Sequence, residues 1–141
     1  MIAVRVSPDQ RAAIVASPAY FKAHPRPRKP LDLLQHRCIG CRHGTALYRG
    51  EFEKAGKEVT VGVSGAVVLD DVDPMVRAAL DGVGIAFTFE DQVGPLLAKR
   101  RLVRVLEDWC PPFPGYFLYY PSRRHQAPGL SALIETLRHR A

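Results

Sequence analysis

The sequence predicts an α/β domain built on a mostly parallel sheet, and two observations carry that reading. Within Leu69 to Ile85 (LDDVDPMVRAALDGVGI), Asp71 or Asp73 can cap a helix with Pro74 at its first position, and Val76, Ala79, Leu80 and Val83 recur at i, i+3, i+4 and i+7. Gly82 and Gly84 then stop the helix and Ile85 to Phe89 reads as an apolar strand, which makes half of a βαβ unit. Along the rest of the chain short apolar runs alternate with helical patterns, the order expected when helices cover a sheet of parallel strands.

Taken in order, Ala12 to Ala16 (AAIVA) is a short apolar run read as a buried strand, and Ser17-Pro18 reads as N-cap plus first residue of a short helix bearing Tyr20 and Phe21. Residues 24–30 (HPRPRKP) form a proline-rich loop with an extended path. Pro30 to Gln35 can add one helical turn before a strand near Arg37 to Arg42. Leu47 to Lys54 and Glu58 to Val63 flank Ala55-Gly56-Lys57, which predicts a hairpin with one wet face. Asp91 to Ala98 is a second helix despite Gly94-Pro95, and Leu102 to Leu106 another strand. Trp109 to Gly115 (WCPPFPG) is a rigid proline turn and Tyr116 to Tyr120 (YFLYY) an apolar strand. Leu130, Leu133, Ile134 and Leu137 place one apolar stripe on a terminal helix.

The chain has 141 residues, 47% of them hydrophobic and 24% charged, which is globular composition in a length that fits one domain. No apolar run approaches ~18 residues, so none reads as a membrane span, and the first twenty residues lack the apolar stretch of a signal peptide. The net charge of +6 invites a nucleic-acid reading, but the excess sits in short clusters at loops and helix ends, such as Arg26, Arg28 and Lys29 or Lys99 to Arg101. No basic helix carries a recognition motif. Three cysteines without secretory features argue for reduced thiols in a cytoplasmic protein.

A series of ordered pieces resembles the effector-binding region of LysR-type transcriptional regulators: IVASPAYFKAHPRPRKPLDLLQHRCI, LYRGEFEKAGKEVTV, DDVDPMVRAALDGVGIAF, RLVRVLEDW and PGYFLYYPSRR. The resemblance implies a fold like that of type II periplasmic binding proteins: two α/β (Rossmann-like) subdomains joined by crossing strands, with ligands in the cleft between them. It also implies an N-terminal winged helix-turn-helix that binds DNA, which this chain does not show. On this reading 1–17 is a remnant of subdomain one with the first crossing strand, 18–110 is subdomain two, and 111–141 is the return strand and terminal helix of a subdomain one only partly present. A strand as apolar as YFLYY beside a Leu-striped helix needs more surface to pack on, so self-association into a homo-oligomer is expected.

Cys38 and Cys41 with His36 and His43 suggest a metal or redox site, but a structural zinc needs a second ligand pair, and residues three apart on a strand point to opposite faces. No nucleophile elbow, Ser-His-Asp grouping or Gly-rich phosphate loop is visible, so no catalytic set, metal or cofactor is assigned. Asp70, Asp71 and Asp73 read as helix-capping acids before they read as a cation site. In α/β sheets, ligands sit beyond the carboxyl ends of strands, where loops lead into helix N-termini. Those places here are Cys41 to Thr45, Asp71 to Asp73 and Thr88 to Glu90. With Ser17 and Pro121 marking the two crossings, the candidate ligand-binding residues are Ser17, Arg42, His43, Thr45, Asp71, Val72, Asp73, Thr88, Phe89 and Pro121. Threonine hydroxyls, helix amides and a nearby cation suit a small anionic effector.

The function implied is therefore a non-enzymatic, ligand-sensing domain that controls transcription, touching DNA only through a helix-turn-helix outside this chain. The alternative is a stand-alone solute-binding or dimerisation module without DNA-binding activity of its own, able to form mixed dimers with a full-length regulator.

Overall fold

The computed structural model describes residues 1–43, 46–65, 67–121 and 127–139, with backbone alone for His43 and Ala46. Its elements are β1 (Ile2–Arg5), β2 (Ala12–Ala16), α1 (Pro18–Ala23), a 3-10 turn (Pro30–Gln35), β3 (Gly40–His43), β4 (Ala46–Leu47), β5 (Gly50–Lys54), β6 (Lys57–Val61), β7 (Val68–Leu69), α2 (Val72–Leu80), β8 (Ala86–Phe89), α3 (Glu90–Ala98), β9 (Val103–Val105), a second 3-10 turn (Glu107–Trp109), β10 (Phe117–Tyr120) and α4 (Pro128–Leu137). The chain divides into a larger unit, Arg11–Pro111, and a smaller one made of Met1–Gln10 with Pro112–Ala141.

In the larger unit β3 lies parallel to β7, with Gly40 opposite Val68 and Cys41 opposite Leu69. A parallel bridge between Cys38 and Ile85 joins β3 to β8. There the Ile39 amide donates to the Ile85 carbonyl (2.7 Å) and the Ile85 amide to the Arg37 carbonyl (2.9 Å). On the far side of β8, β2 runs antiparallel, pairing Ala12 with Phe89 and Val15 with Ala86. β9 closes the row, antiparallel to β2. The order is thus β7–β3–β8–β2–β9. Four of these strands run one way and β2 runs against them, so β7–β3 and β3–β8 meet in parallel and β8–β2 and β2–β9 antiparallel.

This sheet is covered on both faces, and alternation along its strands sorts residues between two cores. Ile14, Cys38 and Ile85 face one core, with Tyr20 of α1, Leu33 of the first 3-10 turn, and Phe52 and Val61 of the β5–β6 hairpin. Ala13, Val15, Ile39 and Ala86 face the other, beneath Met75 and Ala79 of α2 and Val93 of α3. Every residue of β2 from Ala13 to Ala16 is buried, and it belongs entirely to this unit. The unit boundary falls at Gln10–Arg11.

Several local expectations are met. Ser17 caps α1, its Oγ accepting the Tyr20 amide at 3.1 Å, with Pro18 as first helical residue. The hairpin turns at Ala55 (φ 52°) and Gly56 (φ 79°), a two-residue turn with both central φ values positive. Gly82 (φ 79°) ends α2, and Gly84 is required because a Cβ there would stand 2.4 Å from the Arg37 carbonyl.

Others need correction. α2 starts at Val72, so Pro74 is its third residue, where its missing amide still falls among the four a helix leaves unbonded. The helix buries Met75 and Ala79, while Val76 and Leu80 are half-buried, and it ends before the exposed Val83. Leu47 pairs with Arg42 in β4 and is not part of the hairpin.

The smaller unit is a two-stranded ribbon, β1 against β10, with Ile2 opposite Tyr120 and Arg5 opposite Phe117. Gln10 bridges to Phe113, and the His139 amide after α4 donates to the Arg5 carbonyl at 2.6 Å. Of the stripe on α4, Ile134 is buried and Leu133 and Leu137 are exposed.

Candidate functional site

The registers gather one edge of the larger unit's sheet. Because β3, β7 and β8 run together, the backbone after Arg42, the turn after Leu69 and the end of β8 at Phe89 share the edge where β2 begins at Ala12. α2 and α3, nine residues each, both start at this edge, capped by Asp71 and Phe89. Two positive helix ends therefore open on the same side of the sheet. The Asp71 side chain makes no capping hydrogen bond, whereas the Phe89 amide donates to Gln92 Oε1 at 3.0 Å. An open hollow of about 530 Å³ beside α2 is lined by Val72, Asp73, Val76, Arg77, Leu80 and Gln92.

Arg42, His43, Asp71, Val72, Asp73, Thr88 and Phe89 are brought to this edge by backbone position; Arg42, Asp71 and Asp73 are exposed. Thr88 is the least available of them. It is 5% exposed, and its Oγ1 donates to the Ala13 carbonyl at 2.8 Å. Thr45 lies outside the described residues. Ser17 lies apart from these: β2 runs against its neighbours, so its far end emerges at the opposite edge. There Ser17 is buried and its Oγ would lie 3.6 Å from a Cβ built on Gly82. It holds α1 in place and stands apart from the ligand candidates. Pro121 follows β10 in the smaller unit, and its assignment rests on the family resemblance alone.

Sequence reasoning missed a charged brace at the same edge. Arg104 Nη1 contacts Glu90 Oε1 at 2.7 Å, and its Nη2 donates to the Ala12 carbonyl at 2.7 Å, tying the first residue of α3 to the first residue of β2. Its side chain is 11% exposed, and Nε is buried with no hydrogen-bond partner among the described residues. Arg11 reaches the Cys110 carbonyl through Nε and the Glu107 carbonyl through Nη2, each at 2.8 Å, so it clasps the two points where the chain enters and leaves the unit. A signal was available in the sequence: an arginine in the middle of the apolar strand LVRVL is expected only where it has partners.

The cysteine pair behaves as strand geometry dictates. Cys38 packs in one core and Cys41 against the other, so the two thiols face away from each other. Burial pushes the Cys38 thiol up to about 11, and burial with the nearby Asp70 carboxylate raises that of Cys41. Both shifts keep the thiols protonated and poorly nucleophilic. Among the described residues no group of three or more His, Cys, Asp or Glu side chains could hold a metal ion.

Comparisons with known proteins agree with this architecture. The LysR substrate binding domain family matches residues 2–141. A provisionally named transcriptional regulator of Pseudomonas aeruginosa is 47% identical over 141 residues, covering 99% of this chain and 46% of that protein. The HTH-type transcriptional regulator PgrR of Escherichia coli (strain K12) is 38% identical over 143 residues, covering 99% of this chain and 48% of that protein. The chain thus spans about half the length of these relatives. YagP of the same Escherichia coli strain, provisionally named a LysR family substrate binding domain-containing protein, is 38% identical over 102 residues, covering 71% of this chain and 75% of its own length. Among solved structures, the regulatory domain of the C227S variant of AphB from Vibrio vulnificus superposes with a TM-score of 0.79 at 26% identity, covering 96% of this chain and 68% of that one. The match across residues 2–141, on the sheet and helices described above, shows that the chain belongs to the LysR substrate binding domain family.

Proposed function

We propose that this domain senses a small anionic molecule and, in a full-length regulator, passes its occupancy to a helix-turn-helix domain on DNA. The observation that carries the reading is the shared edge at which β3, β7 and β8 end and both α2 and α3 begin. Ligands of α/β sheets bind at such edges, and free helix amides attract anions. Arg42 would supply positive charge, and Val72 and Phe89 the lining, with the Thr88 hydroxyl reachable only if it gives up the Ala13 carbonyl. Asp71 and Asp73 repel a bare anion, so the effector would also carry hydrogen-bond donors that these carboxylates accept. Binding would shift a pre-existing equilibrium between conformations, and any transmitted signal is limited by the difference in affinity between them.

On this reading the domain is non-enzymatic and cytoplasmic, supported by relatives named as transcriptional regulators. Thermal denaturation against a panel of small carboxylates tests it. A ligand at one hundred times its Kd should stabilise the fold by about 2.7 kcal/mol, and Arg42→Ala should abolish the shift. A panel without one stabilising member, or a shift that survives Arg42→Ala, would overturn the site.

Self-association belongs to the same proposal. Tyr116, Tyr119, Leu133 and Leu137 of the smaller unit are 50%, 63%, 46% and 41% exposed, more apolar surface than a lone ribbon and helix can cover. Light scattering should show a dimer or larger assembly that Tyr119→Lys with Leu133→Glu disperses. A monodisperse wild-type monomer would refute this.

YagP favours a second reading, because three quarters of that relative is matched by this domain. The chain would then act as a module without its own DNA contact, capturing a full-length regulator into mixed dimers. Co-expression with such a regulator, followed by affinity capture, separates this from the first reading.

A further inference from the structure

One end of the larger unit carries five cations and one acid. Between Lys22 and Arg37 the chain places Lys22, Arg26, Arg28, Lys29 and Arg37 against a single acid, Asp32. The Asp32 carboxylate is occupied locally, accepting the backbone amides of Arg28 (2.9 Å) and Lys29 (3.2 Å). Some cations elsewhere find partners: Arg11 and Arg104 meet Glu107 and Glu90, Lys54 meets Asp108, and Arg77 meets Asp81, while Arg42, Arg49, Lys57 and Lys99 to Arg101 form no ion pair among the described residues. Among the described residues none of the five in this stretch forms an ion pair.

Two of these cations are held on an aromatic base. The Arg26 guanidinium stands 5.9 Å from the Phe21 ring centre and that of Arg37 stands 6.0 Å from the Tyr20 ring centre. The rings meet edge-to-face at 5.4 Å. Tyr20 is itself fixed: His24 stacks on it at 4.3 Å, its hydroxyl lies 2.7 Å from His36 Nδ1, and that hydroxyl accepts the Arg37 amide at 3.2 Å. A guanidinium laid on an immobile ring keeps its edge N–H groups free and loses less entropy when it meets a carboxylate.

The adjoining 3-10 turn adds an apolar stripe. With three residues per turn, Pro30 and Leu33 both point inward and are buried, while Leu31 and Leu34 both point outward, 55% and 58% exposed. Arg28, Lys29 and Arg37 flank that stripe in sequence. A phosphodiester backbone would use the cations and has no need of the leucines; an acidic amphipathic segment uses both.

We propose that α1, the following loop and the first 3-10 turn form a docking surface for an acidic amphipathic helix of another protein. Its apolar side chains would cover Leu31 and Leu34, and its carboxylates would meet Arg26, Arg37 and the neighbouring lysines. The surface lies at the Ser17 end of the sheet, opposite the candidate ligand edge, so partner and effector can be held together and the proposal stands or falls independently of the ligand reading.

The whole chain titrated against a fluorescein-labelled synthetic helix of glutamates with leucines at i, i+3, i+4 and i+7 tests this by anisotropy. A scrambled peptide of the same composition and a random-sequence DNA duplex serve as controls. Saturable binding of the helix should weaken at least ~10-fold in Arg26→Glu with Arg37→Glu, weaken several-fold in Leu31→Ser with Leu34→Ser, and persist in Lys57→Glu on the hairpin. Circular dichroism of each variant would establish that these exposed changes leave the fold intact. No binding, equal binding of the scrambled peptide, tighter binding of the duplex, or indifference to the leucine changes would each overturn the proposal. So would a concentration-dependent dimer that the leucine changes abolish, since the occupant would then be a second copy.

Discussion

The two units answer the same packing problem differently. In the larger, β2 is flanked by strands on both sides and covered by helices or the hairpin on both faces, and it is buried from Ala13 to Ala16. In the smaller, among the described residues, β1 and β10 pair only with each other, and of the residues on β1, β10 and α4 only Val4 and Ile134 are buried. The same chain thus contains a complete two-faced core and a ribbon with a single apolar layer. The sequence pattern alone does not separate them: both AAIVA and YFLYY read as strands. What separates them is the number of neighbours available, and that number decides where a substitution is costly.

The largest effect should come from the larger unit. Ile85→Ala removes a fully buried side chain at the β3–β8 junction and should cost about 4 kcal/mol, read as a drop in the urea midpoint. Ile134→Ala in the smaller unit should cost less, about 2 kcal/mol, because exposed Leu133 and Leu137 beside it can close the gap. If the two costs prove equal, the contrast between the units fails. Gly56→Ala probes the edge of the larger unit; with φ at 79° and open space around it, only conformational preference opposes the change, at about 1 kcal/mol.

The smallest effect is acid-dependent and also confined to the larger unit. Burial holds His36 below its ordinary value of 6.5, with His24 adding to the effect and Asp32 opposing it. The folded chain therefore takes up this proton less readily than the unfolded chain. Its contribution is complete above the unfolded value and is lost as pH falls through the lower folded one. The urea midpoint should fall between pH 7 and pH 5, and His36→Gln should flatten that fall. An unchanged slope in the variant would remove His36 from the account.

Much of this fold was legible because it is written locally. Ser17-Pro18, Ala55-Gly56 and Gly82 each announce a cap, a turn or a stop through their own backbone chemistry, and each appears where the sequence placed it. The candidate site was legible only in part, because strand direction is a long-range property. Nothing in AAIVA says that β2 opposes its neighbours, yet that direction sends Ser17 to the edge opposite the one where β3, β7 and β8 end. Thr88 showed a hydroxyl in the sequence but not its commitment to the Ala13 carbonyl, 75 residues away. Arg104 was passed over because its partners, Glu90 and Ala12, lie 14 and 92 residues distant.

The placement of β2 also has a consequence for synthesis. β2, an interior strand of the larger sheet, is made before either strand that flanks it, since β8 and β9 are completed only at Phe89 and Val105. At roughly 5–20 residues per second, AAIVA waits several seconds as a naked apolar strand with both edges open. Nascent chains of this domain are therefore expected to engage trigger-type chaperones until about residue 105 has been made, and a stall before that point would leave an aggregation-prone intermediate.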